Sequence, residues 1–359
     1  MLDARRMASF VAVGGSRAAG LLALGACAAA TLAMPAHAHH STAAVYDRTR
    51  IVEAEGVITD VSWTNPHVRF KMRGAGPDGA ERVWSIESNS VSIVSRFGLT
   101  ADLVSAGTRV KVAGNPGRAA GDILFLTNMM LPSGDEILFG EGFRARWSQR
   151  TIGSDIRSAV AADADRGIFR VWTNAVSPPS FWGSRYPLTP AASAAQAKFD
   201  PIANDPTANC APKGMPYIME QPYPIEFVDA GAEILLKLEE YDTVRHIAMA
   251  SGGARAGQAA GATATDRGAA RLGTSRGRWD GETLVVATTD IDYPYFNSSG
   301  IPLGPDAAIE ERFTLNADGS RLEYAMTVTD PATFTMPVTL RKWWEWRPGE
   351  QVRPYNCRK

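Results

Sequence analysis

His67-Val68-Arg69-Phe70-Lys71-Met72-Arg73 alternates apolar and basic side chains without a break. Val68, Phe70 and Met72 share one face, the period-two signature of a strand with one buried side. Upstream, Arg50 to Trp63 reads as a first strand, with Gly56 placed as a bulge. Downstream, the turn Gly74 to Gly79 leads to Arg82–Glu87, where Trp84 and Ile86 share a face. The period then changes. Asn89 or Ser90 can cap a short helix with Val91, Val94 and Phe97 at helical spacing, ended by Gly98. Thr108–Ala113 and Asp122–Leu131 supply two more strands. Strand-strand-strand-helix-strand-strand is the order of an OB-type barrel; a small sandwich with an inserted helix would use the same elements.

The second half is also β. Candidate strands are Ile225–Val228, Glu233–Glu239, Thr243–Met249, Arg278–Thr288, Ile309–Leu315, Arg321–Thr329 and Val338–Trp346. Asp280-Gly281 and Asp318-Gly319 are hairpin turn signals, and short connections suggest a meander closed as a barrel or split into a sandwich. Ser251 to Gly277 is rich in Gly, Ala and Arg, a mobile loop by composition. Between the halves, Gly167 to Asn174 could be a strand and Ala191–Phe199 suits a short helix. The expected architecture is all-β with a minor helix. An OB-like five-stranded domain (39–135) is followed by a linker (136–209) and a larger antiparallel barrel or sandwich (210–359).

Residues 1–38 read as an export signal. Arg5, Arg6 and Arg17 supply positive charge, Ala18 to Met34 is apolar, and Pro35 precedes the small-x-small site Ala36-His37-Ala38. Leu24-Gly25-Ala26-Cys27 offers a rival, lipidation at Cys27, but the apolar run continues to Met34, where a lipoprotein turns polar. Cleavage after Ala38 would leave 34 Lys+Arg against 37 Asp+Glu. That balance disfavours nucleic acid and anionic lipid as partners, since both select basic surfaces. No other stretch approaches the ~20 apolar residues of a membrane span. A periplasmic or secreted protein is expected, its partner a small molecule or a protein that the sequence does not identify. Two cysteines then remain, Cys210 and Cys357, most simply one disulfide in an oxidising compartment.

No Gly-x-Ser-x-Gly elbow, Walker loop, dinucleotide fingerprint or His-Glu-x-x-His occurs. A binding or accessory role therefore leads. Metal is the first alternative. Cleavage would leave His39 with a free α-amine beside its imidazole, and His40 or His67 could complete the planar nitrogen set that Cu(II) prefers. The second alternative is an enzyme. His246 alternates in phase with Val244 and Ala248, which points it toward the interior or a cavity. Trp344, Trp346, Tyr293 and Tyr295 could line such a cavity, although two tryptophans on one strand face more often fill a core.

The residues also support a comparison. Ala38-His39-His40-Ser41, Tyr46-Asp47 and Trp63-Thr64-Asn65-Pro66-His67 resemble the opening of an uncharacterised family of secreted bacterial proteins. That family carries a domain of unknown function with the pattern A-H-H-S, Y/F-D and W-x-N-P-H. Thr42 and Val45 depart from it, standing where many relatives carry an aromatic and an acid. In the second half, Asp205-Pro206, Cys210-Ala-Pro-Lys-Gly-Met-Pro216, Gly277-Arg-Trp-Asp-Gly-Glu-Thr-Leu-Val285 and Glu311-Arg-Phe313 are similar to segments of other uncharacterised exported proteins. The resemblance implies secretion and an architecture, and no activity.

Overall fold

The structure is a computed structural model. It describes residues 42–76, 78–119, 121–140, 142–154, 167–174, 183, 185–201, 203–250 and 270–358. The expected signal segment, Cys27, His39 and His40 lie outside the described residues, as does most of the loop expected after Met249.

A single turn, α1 (Thr42–Val45), leads into the first barrel. Its strands are β1 (Val52–Ser62), β2 (Arg69–Ala75), β3 (Glu81–Glu87), β4 (Arg109–Pro116) and β5 (Ile123–Met130). The hydrogen-bonded order is β3-β2-β1-β4-β5, and a parallel β3–β5 pairing closes the ring. Helix α2 (Val91–Val94) continues as a 3₁₀ turn through Phe97 and sits between β3 and β4. The Ser90 side chain caps it by accepting from the Ile93 N–H, and Gly98 ends it in a left-handed conformation. This is the OB order that the sequence predicts. Val68, Phe70, Met72, Trp84 and Ile86 are buried together, whereas Lys71 and Arg73 are exposed.

Gly56 is not the bulge. The register slips between Ile58 and Asp60, so the extra residue is Thr59. Gly56 instead faces Gly74 across the β1–β2 ladder. A Cβ on Gly74 would lie 2.0 Å from the Glu55 carbonyl oxygen, and one on Gly56 would lie 2.3 Å from that of Arg73. The two glycines therefore let the strands cross at backbone contact.

The connective stretch contributes more strand than its composition suggests. β6 (Glu136–Leu138) and β7 (Thr151–Ile152) extend the first sheet beyond β5. Buried Glu136 accepts the N–H groups of Arg146, Trp147 and Ser148, gathering an otherwise irregular loop. β8 (Val171–Asn174) belongs to the second barrel, and α3 (Pro190–Gln196) is the expected short helix.

The second barrel continues with β9 (Ile225–Asp229), β10 (Glu233–Leu238), β11 (Thr243–Met249), β12 (Thr274–Asp280) and β13 (Thr283–Thr289). It ends with β14 (Ala308–Leu315), β15 (Arg321–Thr329) and β16 (Val338–Glu345). The expected run Arg278–Thr288 is a hairpin, split at Asp280-Gly281 into β12 and β13. Nine strands close in the order β10-β11-β12-β13-β14-β15-β16-β8-β9. Two features break the simple meander: β11 and β12 pair in parallel, and β8 inserts between β16 and β9. Trp172, Trp344, Phe227 and Phe313 fill the interior. Removing each such ring from water contributes roughly 1.5–3 kcal/mol or more.

Gly74→Ala is expected to destabilise the protein by about 1–3 kcal/mol, because the new methyl pushes two backbones apart. Urea denaturation measures it, and an unchanged midpoint would show that the strands separate freely.

Candidate functional site

The loop between β1 and β2 carries Trp63-Thr64-Asn65-Pro66-His67, and its polar residues have separate jobs. Asn65, 4% exposed, accepts the Ser92 N–H and donates to the Ser92 hydroxyl and the Tyr355 carbonyl. Its own carbonyl accepts the Arg358 N–H. Asn65 thus fastens the C-terminal tail to the first barrel. A cleft of about 370 Å³ opens beside it, with Trp63, Thr64, Arg353 and Arg358 in its walls.

His67 is held differently. Its Nδ1 lies 2.7 Å from the Ser88 carbonyl oxygen, which can only accept, so Nδ1 carries the proton. Nε2 then faces Glu87, 3.9 Å from Oε1. The other carboxylate oxygen accepts the Tyr46 hydroxyl at 2.7 Å, and Arg69 Nε lies 3.7 Å from Oε1. Burial, then the Glu87 charge, push the Tyr46 phenol far above its ordinary range. Tyr46 follows α1 directly, so the entering chain is anchored on the carboxylate that faces His67.

Between the barrels, one cation is shared. Arg96 donates to both oxygens of Glu239 (3.0 and 2.7 Å) and to Glu350 (3.0 Å). It also reaches the Gln351 carbonyl at 3.2 Å. Burial works against the Arg96 charge, but Glu239 and Glu350 outweigh it and raise the pKa further. The disulfide joins Cys210 to Cys357, as expected, with Cα atoms 6.0 Å apart.

Inside the second barrel lie charges that periodicity assigns to apolar residues. Arg245 on β11 pairs bidentately with Glu311 on β14 at 3.0 and 2.7 Å, both essentially inaccessible. The Tyr324 hydroxyl donates to the same carboxylate at 2.7 Å. Near one end, Lys213 meets Glu240 at 2.9 Å. Lys342, inward on β16, donates to the Met219 carbonyl at 2.7 Å and lies 4.3 Å from the Trp344 ring centre. Burial pushes the Lys342 amine down to about 7, against the pull of Glu220 and Glu240 and with help from Lys213.

His246 does not face a cavity. Its side chain is 65% exposed, with Nδ1 2.9 Å from Glu233 Oε2. Val244, Ala248 and His246 do share a face, but it is the outer one; Thr243, Arg245 and Ile247 point inward. Apolar neighbours misassign the phase because the buried partner of Arg245 lies 66 residues away. Trp344 is fully buried against Phe313 and Tyr324, a core residue. Trp346 packs on that core beneath the Arg170 guanidinium. Tyr293 is buried beside Tyr217, and half-buried Tyr295 meets Phe199. These four rings are thus shared among separate contacts. The residues that periodicity misses are Arg96, Lys213, Glu239, Arg245, Glu311 and Lys342. A charge at the inward phase of a strand is the signal that marks Arg245, Glu311 and Lys342.

Among the described residues, no three His, Cys, Asp or Glu side chains converge as a metal cage. No helix among them is long and apolar enough to cross a membrane. Residues 28–123 match the model of a family of unknown function (DUF6152), so the match ends within the first barrel. No curated protein and no solved structure matches the chain.

Two outcomes are expected from the buried charges. Arg96→Ala strands Glu239 in the interior and should cost about 3–5 kcal/mol in chemical denaturation. A loss under ~1 kcal/mol would show that water reaches the pair. Lys342→Met tests the depressed amine. Between about pH 7 and 10 the unfolded chain holds a proton that folded Lys342 has lost, so wild-type stability rises with pH relative to the variant. The difference should change by up to about 4 kcal/mol across that window. A flat difference would mean that Lys342 stays protonated inside the barrel.

Proposed function

We propose that this is an exported binding or accessory protein whose N-terminal motif holds a Cu(II) ion. The observation that carries the metal is the pairing of His67 Nε2 with Glu87 Oε1 at 3.9 Å. Two donors about 2 Å from one ion stand roughly 4 Å apart when they lie on opposite sides of it, so this separation suits opposite corners of a planar set. The Nδ1–H···O=C bond to Ser88 supports the reading, because it places the ring proton on Nδ1 and orients Nε2 toward Glu87.

The remaining donors would come from the mature terminus. His39 and His40 lie outside the described residues, but Tyr46 follows His40 by only six positions and sits on Glu87. Six residues span at most roughly 20 Å. Cleavage after Ala38 would give His39 an α-amine as well as a ring. Both can be neutral near pH 7, with ordinary values of ~7.7–8 and ~6.5. Nothing here demands turnover: the ion would be held for storage, delivery or presentation to a partner.

Cu(II) titration against a competing chelator tests the reading on protein beginning at His39, the same protein extended by one Ala, and His67→Ala. The extension turns the amine into an amide and should abolish tight binding. His67→Ala should weaken it about 10–100-fold or more, with the fold intact by circular dichroism. Equal affinity in all three forms would overturn the site.

A further inference from the structure

The outer wall of the second barrel carries an unassigned cleft of about 360 Å³ across β14, β15 and β16. Its shape follows from register. Arg312, Ala325 and Arg341 lie opposite one another on the three strands, and Glu323 pairs with Trp343 in the next row. Strands are spaced ~4.8 Å apart, so the two arginines stand about 10 Å apart with only a methyl group between them. Ala325 is the floor, and the long side chains are the walls. At one end the Arg321 guanidinium lies 4.8 Å from the centre of the Trp343 ring.

The charges in this trough are not used up by one another. Arg312 is held by Asp280 at 2.9 Å. Among the described residues, the Arg341 guanidinium and the Glu323 carboxylate make no hydrogen bond or ion pair. The Trp343 indole N–H is buried without an acceptor. The cleft thus offers a forked cation for a carboxylate, and a carboxylate that can only accept.

We propose that this cleft binds a small polyhydroxy carboxylate, a sugar acid or a short oligomer of one. The arginines would take the ligand's carboxylate, bidentately at Arg341. Glu323 decides the rest of the chemistry. It repels ligands that present anionic oxygens on every side, such as phosphate or sulfate, and accepts from hydroxyl groups. Neutral sugars lose the arginine contacts. The site is open to solvent, so its binding weakens as salt rises.

Isothermal titration of the full mature chain with galacturonate tests this, with galactose and inorganic phosphate as comparison probes. Galacturonate should bind at least tenfold more tightly than either. Arg341→Ala and Ala325→Leu should each weaken it tenfold or more, the second by filling the floor. Both positions face outward, and unchanged melting temperatures would show that the barrel is intact. Glu323→Gln should improve phosphate relative to galacturonate. Failure of galacturonate to bind, phosphate binding as tightly, or an Ala325→Leu variant that binds normally would each overturn the proposal. The N-terminal motif is not involved, so the copper titration is independent of this result.

Discussion

The Arg96 guanidinium joins three parts of the chain: the first barrel, the second barrel and the C-terminal tail. It leaves the helical turn of the first barrel and meets Glu239 at the end of β10, with Glu350 on the C-terminal tail. A carboxylate as buried as Glu239 costs several kcal/mol unless a cation reaches it, and Arg96 carries the same penalty. Both penalties are lifted only when the barrels are docked and the tail is laid across them. The planar fork adds direction, because two parallel N–H···O bonds form in one relative orientation. Asn65 and the Cys210–Cys357 disulfide then hold the tail in that geometry.

A related solution recurs inside the second barrel. Eight strands leave an interior that side chains just fill, so nine need larger side chains or a lumen. Here the space is taken by Trp172, Trp344, Phe227 and Phe313, and by Arg245 stretched across to Glu311. The Arg245 stem packs as a hydrocarbon while its two terminal nitrogens meet the Glu311 carboxylate, and Ser275 and Thr288 hydroxyls lie 3.2 and 3.3 Å away. With the middle of the barrel plugged in this way, the clefts at Ala325 and Trp63 open on an outer wall and a loop.

How far the sequence could be read follows from what its periodicity measures. The alternation at Val68, Phe70 and Met72 reports burial of apolar groups, and the OB order came out intact. At β11 the same rule inverted the strand, because the buried residue is Arg245 and the exposed ones include Val244. The error lies in the assumption that polar means outside, which fails wherever a charge has a distant partner. Very short strands failed for another reason. β7 has two residues, too few to show any period, and is positioned by pairing with β6. Gly56 was noticed and misread: glycine signals a backbone exception, but a close approach and a bulge leave the same mark in one strand. The disulfide was legible because only two cysteines follow the expected export signal. The proposed copper ligands His39 and His40 rest on the sequence still.

Several motifs that invite a functional reading turn out to hold the fold. Asn65 binds the tail, Glu311 neutralises a buried arginine, and Lys213 pairs with Glu240. Gly214 has no room for a side chain, with the Arg271 carbonyl oxygen 2.5 Å from where its Cβ would be. Once those assignments are subtracted, the motif loop retains His67, held by the Ser88 carbonyl and facing Glu87. A histidine required only for packing would not need a fixed tautomer and a facing carboxylate that also anchors the entering chain. In His67, Glu87 and Tyr46 those features coincide, and they do so where the described chain enters the first barrel. That coincidence separates this histidine from His246, whose single carboxylate contact lies on an open surface where ion pairs contribute little.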